Sequence, residues 1–167
     1  RLRRLVGLPA IEVCAGRAAL SYHLGQRGIP VTPIDDMSDD RTANAKPLID
    51  VDRGLTHQQA LEKYQPRVVI GGWIPNTPQI GIDILNFPTV DYFIDIGEVP
   101  LNSTWLRADY RNEHFKLMHL ANVGRPAIWI MDYYVKSEKG NIGFFQHSEA
   151  RFWKRKGAPM TLDHRFD

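Results

Sequence analysis

Two acidic positions near the start of the chain stand where chemistry, rather than solubility, would place them. Glu12 interrupts the apolar run Ala10-Ile11-Glu12-Val13-Cys14 and is followed at once by the small residues Ala15 and Gly16. Burying an unpaired carboxylate costs on the order of several kcal/mol. Glu12 must therefore meet a cationic ligand group or pair with a basic residue of the protein. The small residues after it let a ligand approach the backbone, and a helix beginning there offers free N–H groups to a carboxylate or phosphate. Asp35 closes a second apolar run, Val31 to Asp35, 19 residues after Gly16, with Asp36 beside it. A carboxylate about 20 residues beyond a glycine turn sits where a ribose presents two hydroxyls, and one carboxylate accepts both. Asp35 belongs to the strand end, whereas Asp36, Asp39 and Asp40 read as loop acids.

Further candidates lie downstream. In Gly71-Gly72-Trp73-Ile74-Pro75-Asn76 the glycines permit close backbone approach, and Trp73 offers a flat surface for an adenine or an acceptor ring. The same residues can equally end a strand and fill a gap between helices. Glu98, in Ile96-Gly97-Glu98, is a candidate general base, with capping near the next loop as its structural alternative. Asp95 is a second unusual acid that can be partnered structurally. His114 and His119 are five apart on an expected helix and do not share a face. His23, His57, His147 and His164 read as surface or packed residues, so no metal site is expected. No G-x-S-x-G, Walker loop or H-E-x-x-H is present, which leaves hydrolase, phosphate-transfer and zinc-protease readings without a foundation.

The elements that must position these residues alternate in type. Strands are expected at Ala10–Cys14, Val31–Asp35, Val68–Gly71 and Tyr92–Ile96, with a brief edge strand at Pro47–Val51. Helices are expected at Ala18–Gln26, from Thr56 through Tyr64, around Pro78–Leu85, and from Ser103 to about His119. Thr56 and Gln59 form a capping-box pattern, and Gly28 is placed to end the first helix. The tail reads as a hairpin, Ala127–Val135 and Ile142–Trp153 around a turn at Lys136–Asn141. The whole predicts an α/β fold: a doubly wound, mostly parallel sheet with helices on both faces and a C-terminal antiparallel hairpin.

Composition fits one domain spanning 1–167. Of 167 residues, 43% are hydrophobic and 24% charged, and 21 basic side chains nearly balance 19 acidic ones, which excludes disorder as the dominant state. No apolar run approaches a membrane span, and no secretory h-region opens the chain, which begins at Arg1 and leaves room for an upstream segment. The single cysteine, Cys14, excludes an internal disulfide and a cysteine zinc cage, and a reducing, cytoplasmic setting fits. Basic residues cluster at the ends, as Arg1, Arg3 and Arg4, then Arg151, Lys154, Arg155 and Lys156. Solvated termini explain them more simply than a nucleic-acid footprint does.

A dinucleotide fingerprint G-x-G-x-x-G/A would fall on Cys14, Gly16 and Ala19; its first glycine is missing, and Glu12 brings negative charge near a pyrophosphate. S-adenosylmethionine, with an ammonium group and no phosphate, suits these residues better. Strand, E-V-C-A-G, helix and a strand ending in I-D resemble motifs I and II of the class I S-adenosylmethionine-dependent methyltransferases, with Glu12, Cys14 and Gly16 on the motif positions. The resemblance implies a seven-stranded sheet, a glycine turn of Cys14, Ala15 and Gly16 against the methionine part, Asp35 at the ribose with Asp36 beside it in the cofactor site, Asp50 or Asp52 at the adenine, and Gly72 and Trp73 beside the reactive methyl. The Asn/Asp-Pro-Pro-aromatic signature of amino-methylating members is absent after the fourth strand, so methylation of an exocyclic base nitrogen is not implied. The expected activity is methyl transfer to an unassigned acceptor, small-molecule or nucleic acid. A non-catalytic nucleoside-binding module and an NAD-dependent oxidoreductase are the rivals, the latter disfavoured by Cys14 and Glu12.

Overall fold

The computed structural model describes residues 7–38, 46–72, 74, 78–98, 115–122 and 148–158. In chain order these form β1 (Ala10–Val13), α1 (Ala19–Gly25), β2 (Thr32–Asp35), β3 (Asp52–Arg53), α2 (His57–Tyr64), β4 (Val68–Gly72), α3 (Pro78–Asn86), β5 (Tyr92–Glu98), β6 (Phe115–Asn122) and β7 (Ser148–Arg155). The strands join in one seven-stranded sheet ordered β3-β2-β1-β4-β5-β7-β6. The first five are parallel. β7 runs antiparallel between β5 and β6. Chain order reverses between β1 and β4, and that is the switch point where such sheets hold ligands, beyond the carboxyl ends of the strands.

Helices cover both faces because the central strands are apolar on both. On one side Leu20 and Leu24 of α1 pack with Val68, Ile70, Tyr92 and Ile94. On the other, Ala60 and Leu61 of α2 and Ile80, Ile84 and Leu85 of α3 pack with Ile11, Val13, Val69, Phe93 and Trp153. Successive strand residues thus divide between two cores, as the two-residue repeat of a strand requires. The expected capping box is present: Gln59 N–H reaches Thr56 Oγ1 at 3.3 Å, and Thr56 N–H reaches Gln59 Oε1 at 2.9 Å. His57 and Gln58, at the start of α2, both reach Asp83 Oδ2 of α3 at 2.8 Å, while Gln79 donates to its Oδ1 at 2.5 Å. Among the described residues no helix is long and apolar enough to cross a membrane.

Three expected elements need correction. The edge strand is Asp52–Arg53, not Pro47–Val51. Residues 115–122, whose first five positions were expected to end a helix, form β6. Between Leu117 and His119 the register to β7 slips by one residue. That bulge, at Met118, interrupts the two-residue alternation and leaves apolar residues at Phe115, Leu117, Met118, Leu120 and Ala121, a spacing that mimics a helix. The strand that flanks β7 on its outer side is therefore β6. Ala127–Val135, expected in that role, lies outside the described residues, as do Lys136–Asn141 and 103–114.

β4 ends in two glycines with different reasons to be there. A Cβ on Gly71 would fall 2.1 Å from Ile74 Cδ1 and 2.6 Å from its Cγ1, so the missing side chain makes room for a fully buried isoleucine. At Gly72 the nearest atom would be Leu20 Cδ2, at 3.9 Å. Gly71→Ala is expected to lower unfolding stability by about 1–3 kcal/mol through overpacking. In an Ile74→Ala background the same change should cost at least about 1 kcal/mol less, while Gly72→Ala stays close to wild type. Urea denaturation of the set measures the coupling.

Candidate functional site

The turn after β1 is built from an unusual backbone. Cys14, Gly16 and Ala18 all lie in the left-handed region, at φ 55°, 54° and 56°. Only glycine adopts it without steric cost, so Cys14 and Ala18 each carry strain of about 1–2 kcal/mol. Ala18 is nonetheless fully buried. The turn persists because neighbouring strands hold it. Ala15 N–H donates to Ile34 O at 3.0 Å, and Gly16 N–H donates to Asp35 Oδ2 at 2.6 Å. The other Asp35 oxygen, Oδ1, accepts from Met37 N–H at 2.8 Å.

Glu12 points to the α1 side, only 3% exposed. Its Oε2 accepts both the backbone N–H of Ser21, at 2.9 Å, and the Ser21 hydroxyl, at 2.5 Å. Ser21 is the third residue of α1, so the carboxylate satisfies one of the four N–H groups that a helix start leaves open. Oε1 takes part in neither bond. Burial pushes the Glu12 carboxyl up, the two Ser21 bonds oppose it, and the nearby Asp35 charge adds to the rise. Burial together with the charges of Asp35, Asp36 and Glu12 pushes the half-buried Cys14 thiol up to about 12, so it stays protonated and is no nucleophile at neutral pH.

Glu12, Cys14, Ala15, Gly16, Asp35 and Asp36 therefore gather at the carboxyl ends of β1 and β2. Among the described residues no lysine, arginine or histidine pairs with the three carboxylates. The two neighbouring aspartates differ in placement: Asp35 is 6% exposed and bonded at both oxygens, whereas Asp36 is exposed and accepts one bond, from Ser38 N–H at 2.9 Å. Gly72, at the end of β4, lies across the switch point from this group. Trp73 lies outside the described residues. Glu98 is the last residue of β5, two positions past Ile96, the residue level with Gly72.

Asp52 is not brought to this group. Lys63 Nζ and the Tyr64 hydroxyl, both at the end of α2, each lie 2.5 Å from its Oδ2 and lower its carboxyl below the ordinary range. Asp50 is exposed ahead of the strand, and the residue ending β3 is Arg53, level with Asp35. Asp95 is buried within β5. Sequence reasoning missed Ser21; the signal was available, since a buried Glu12 facing a new helix calls for a donor in its first turn. It also passed over His57, which joins α2 to Asp83. Burial acts to raise the Asp83 carboxyl, but bonds from His57, Gln79 and Gln58 outweigh it and hold the group low. A cleft of about 460 Å³, lined by Leu8, Ala10, Ser21, Gly25, Val31 and Ile49 among others, opens toward the opposite, amino-terminal ends of β1 and β2. None of the gathered site residues lines it.

No family model and no curated protein matches the chain. Solved structures do. Streptococcus pneumoniae Sp1610, proposed to be a tRNA (m1A22) methyltransferase and bound to S-adenosyl-L-methionine, aligns with a TM-score of 0.53 at 15% identity. A SAM-dependent methyltransferase from Archaeoglobus fulgidus aligns at 0.50 and 13% identity, over 92% of this chain and 91% of its own. M. capricolum TrmK, in complex with the cofactor product S-adenosyl-homocysteine, aligns at 0.52 and 11% identity, over 94% of this chain and 68% of its own. The fold is that of the class I S-adenosylmethionine-dependent methyltransferases. Against Sp1610 the alignment covers 89% of this chain but 66% of the pneumococcal one, so the chain spans less than two thirds of that protein's length. In this methyltransferase fold the parallel strands and the antiparallel β7 agree with the expected architecture.

The paired aspartates separate cleanly by mutation. Asp35→Ala should lower unfolding stability by about 2–4 kcal/mol without any ligand, because two backbone donors lose a charged acceptor; Asp36→Ala should stay within ~0.5 kcal/mol. Glu12 gives a pH signature. A carboxyl raised by folding contributes stability that is complete below its unfolded value of 4.5 and is lost as pH climbs through the raised one. Glu12→Gln, which cannot titrate, should therefore gain on the wild type as pH rises from about 4 to 8, read from urea melts across that range.

Proposed function

We propose that the chain is an S-adenosylmethionine-dependent methyltransferase, a single domain that takes its cofactor across the switch point between β1 and β4. One observation carries this reading: Glu12, Asp35 and Asp36 converge there without a described cationic partner, and the Gly16 N–H is already bonded to Asp35. A ligand arriving at that rim meets negative charge and a backbone donor in use. Pyrophosphate is disfavoured on both counts. A nucleoside bearing sulfonium and ammonium groups is favoured.

The residues divide the work by position. The cofactor's amino-acid part lies against Cys14, Ala15 and Gly16, with the buried charge of Glu12 behind the turn. Asp36, exposed beside Asp35, takes the ribose hydroxyls, while Asp35 keeps the turn in shape. A side chain on Gly72 would meet no more than an ordinary contact with Leu20, which leaves room for close approach, and Trp73 is next in the chain. When bound, the cofactor supplies a methyl group on a good leaving group, so the protein's task is chiefly to hold an acceptor in line. Where the acceptor atom carries a proton, Glu98, the last residue of β5, is our candidate to accept it. Cofactor and product in the solved pneumococcal and M. capricolum relatives support this reading, and the tRNA assignment of the former makes a nucleic-acid acceptor the first to try.

Calorimetry with S-adenosylmethionine, S-adenosylhomocysteine and NAD tests the ligand class. The first two should bind and NAD should not, and Asp36→Ala should weaken adenosyl binding at least about tenfold, or ~1.4 kcal/mol, with its thermal midpoint kept. Binding of NAD alone, or an Asp36→Ala variant that binds as tightly as the wild type, would contradict the proposal. Formation of S-adenosylhomocysteine with tRNA present separates an enzyme from a binding module.

A further inference from the structure

S-adenosylmethionine carries an anion besides its two cations, the α-carboxylate of its amino-acid part, and that group needs a partner of its own. A glycine turn leading into a helix commonly meets such a group with backbone N–H donors. In this chain those donors are largely engaged. Ala15 N–H is bonded to Ile34 O at 3.0 Å and Ala18 N–H to Ala15 O at 2.7 Å. Gly16 N–H is bonded to Asp35 Oδ2 at 2.6 Å, and Ser21 N–H to Glu12 Oε2 at 2.9 Å. The charges of Glu12, Asp35 and Asp36 around the same turn also repel any further carboxylate. An anion settles there only where a cation meets it.

Arg17 supplies that cation. It follows Gly16 directly and is exposed, and its Nε donates to Lys46 O at 3.2 Å. Leu48 N–H donates in turn to Arg17 O at 2.9 Å, so segment 46–48 and the turn hold each other through two bonds. The anchor uses only Nε. Among the described residues no other group engages the guanidinium, which leaves both terminal nitrogens available. Although three carboxylates gather in the same region, Arg17 pairs with none of them: Asp35 is bonded to Gly16 and Met37, Glu12 to Ser21, and Asp36 to Ser38. The chain thus holds a fixed, unspent cation one residue past the turn that the amino-acid part of the cofactor lies against.

We propose that Arg17 binds the α-carboxylate of the cofactor and so sets specificity for a ligand that carries one, an assignment that rests on the cofactor reading above. A guanidinium offers paired donors that match the two oxygens of a carboxylate. With Nε already anchored, the side chain loses less rotamer freedom when the ligand arrives. The charges of the ligand are then answered in kind: sulfonium and ammonium by the acids of the rim, carboxylate by Arg17. A nucleoside with the same adenosyl and sulfonium parts but no carboxylate is bound less well.

Calorimetry of the full chain with S-adenosylmethionine and with decarboxylated S-adenosylmethionine, which keeps the adenosine, sulfonium and ammonium and lacks only the carboxylate, tests this. The wild type should bind the first at least about tenfold more tightly than the second. Arg17→Ala should weaken S-adenosylmethionine at least about tenfold, change the decarboxylated form by no more than about twofold, and so erase the preference. Arg17→Lys should restore part of it, because the charge returns without the fork. Arg27→Ala removes the same charge at the far end of α1, where Arg27 bonds to His23 O, and should discriminate as the wild type does. Circular dichroism checks folding, and Arg17→Gln carries the test if Arg17→Ala does not fold. The assignment is overturned if the wild type binds both forms equally, or if Arg17→Ala loses affinity equally for both. It is overturned too if Arg17→Ala binds S-adenosylmethionine as tightly as the wild type, the result expected were Arg17 to meet a phosphate of the acceptor instead. A wild type that binds neither form overturns the cofactor reading and this assignment together. Asp36→Ala should weaken both forms alike, so the ribose and carboxylate assignments fail separately.

Discussion

The hydrogen bond from the Gly16 N–H to the Asp35 carboxylate is the constraint on which the ligand-facing end of the sheet depends. It joins the turn after β1 to the end of β2, and it holds a backbone that would otherwise relax. Three left-handed residues within five positions, two of them not glycine, are not a conformation the chain reaches locally. The Ala15 bond to Ile34 and the Glu12 cap on α1 hold the turn from its other sides. An internal carboxylate thus takes up the Gly16 N–H that a glycine turn can otherwise offer to a phosphate. The anion preference of a glycine turn is spent within the protein, and the outward field is left negative.

That substitution gives the molecule a polarity along its strands. Glu12, Asp35 and Asp36 collect at the carboxyl ends, while Arg67, Lys154, Arg155 and Lys156 collect at the amino ends. A net charge of +2 describes neither surface. Long-range attraction acts through local potential rather than the total, so a small cation would be drawn to the acidic end of the sheet. Parallel strands make this separation natural, because every one of them begins at one end and finishes at the other.

The parts of this organisation that were legible in the sequence are those set by local rules. Apolar runs broken by Gly16 and Gly28, and a capping box at Thr56, marked β1, α1, β2 and α2 closely. The acidic residues at the ends of β1 and β2 were legible as a pair because burial makes a carboxylate conspicuous. What resisted was set by contacts between distant segments. The β6 bulge has no local signature and reverses the apparent period. β3 has only two residues, too few for any pattern, and exists because β2 offers it an edge.

Neighbouring residues at the switch point repeatedly divide one motif between two duties. Gly71 lacks a side chain for the sake of Ile74, while a side chain on Gly72 would meet only an ordinary contact with Leu20. Asp35 is committed to the backbone, while the next residue keeps a free oxygen at the surface. The cause is the pleat: successive side chains leave a strand on opposite sides, so one position of a pair meets the core and the other meets whatever lies beyond the strand end. A motif read as a single functional unit therefore overassigns its members. Its inner residue is better understood as the support that fixes the outer one, which explains how a short stretch such as Ile34-Asp35-Asp36 can carry both rigidity and recognition.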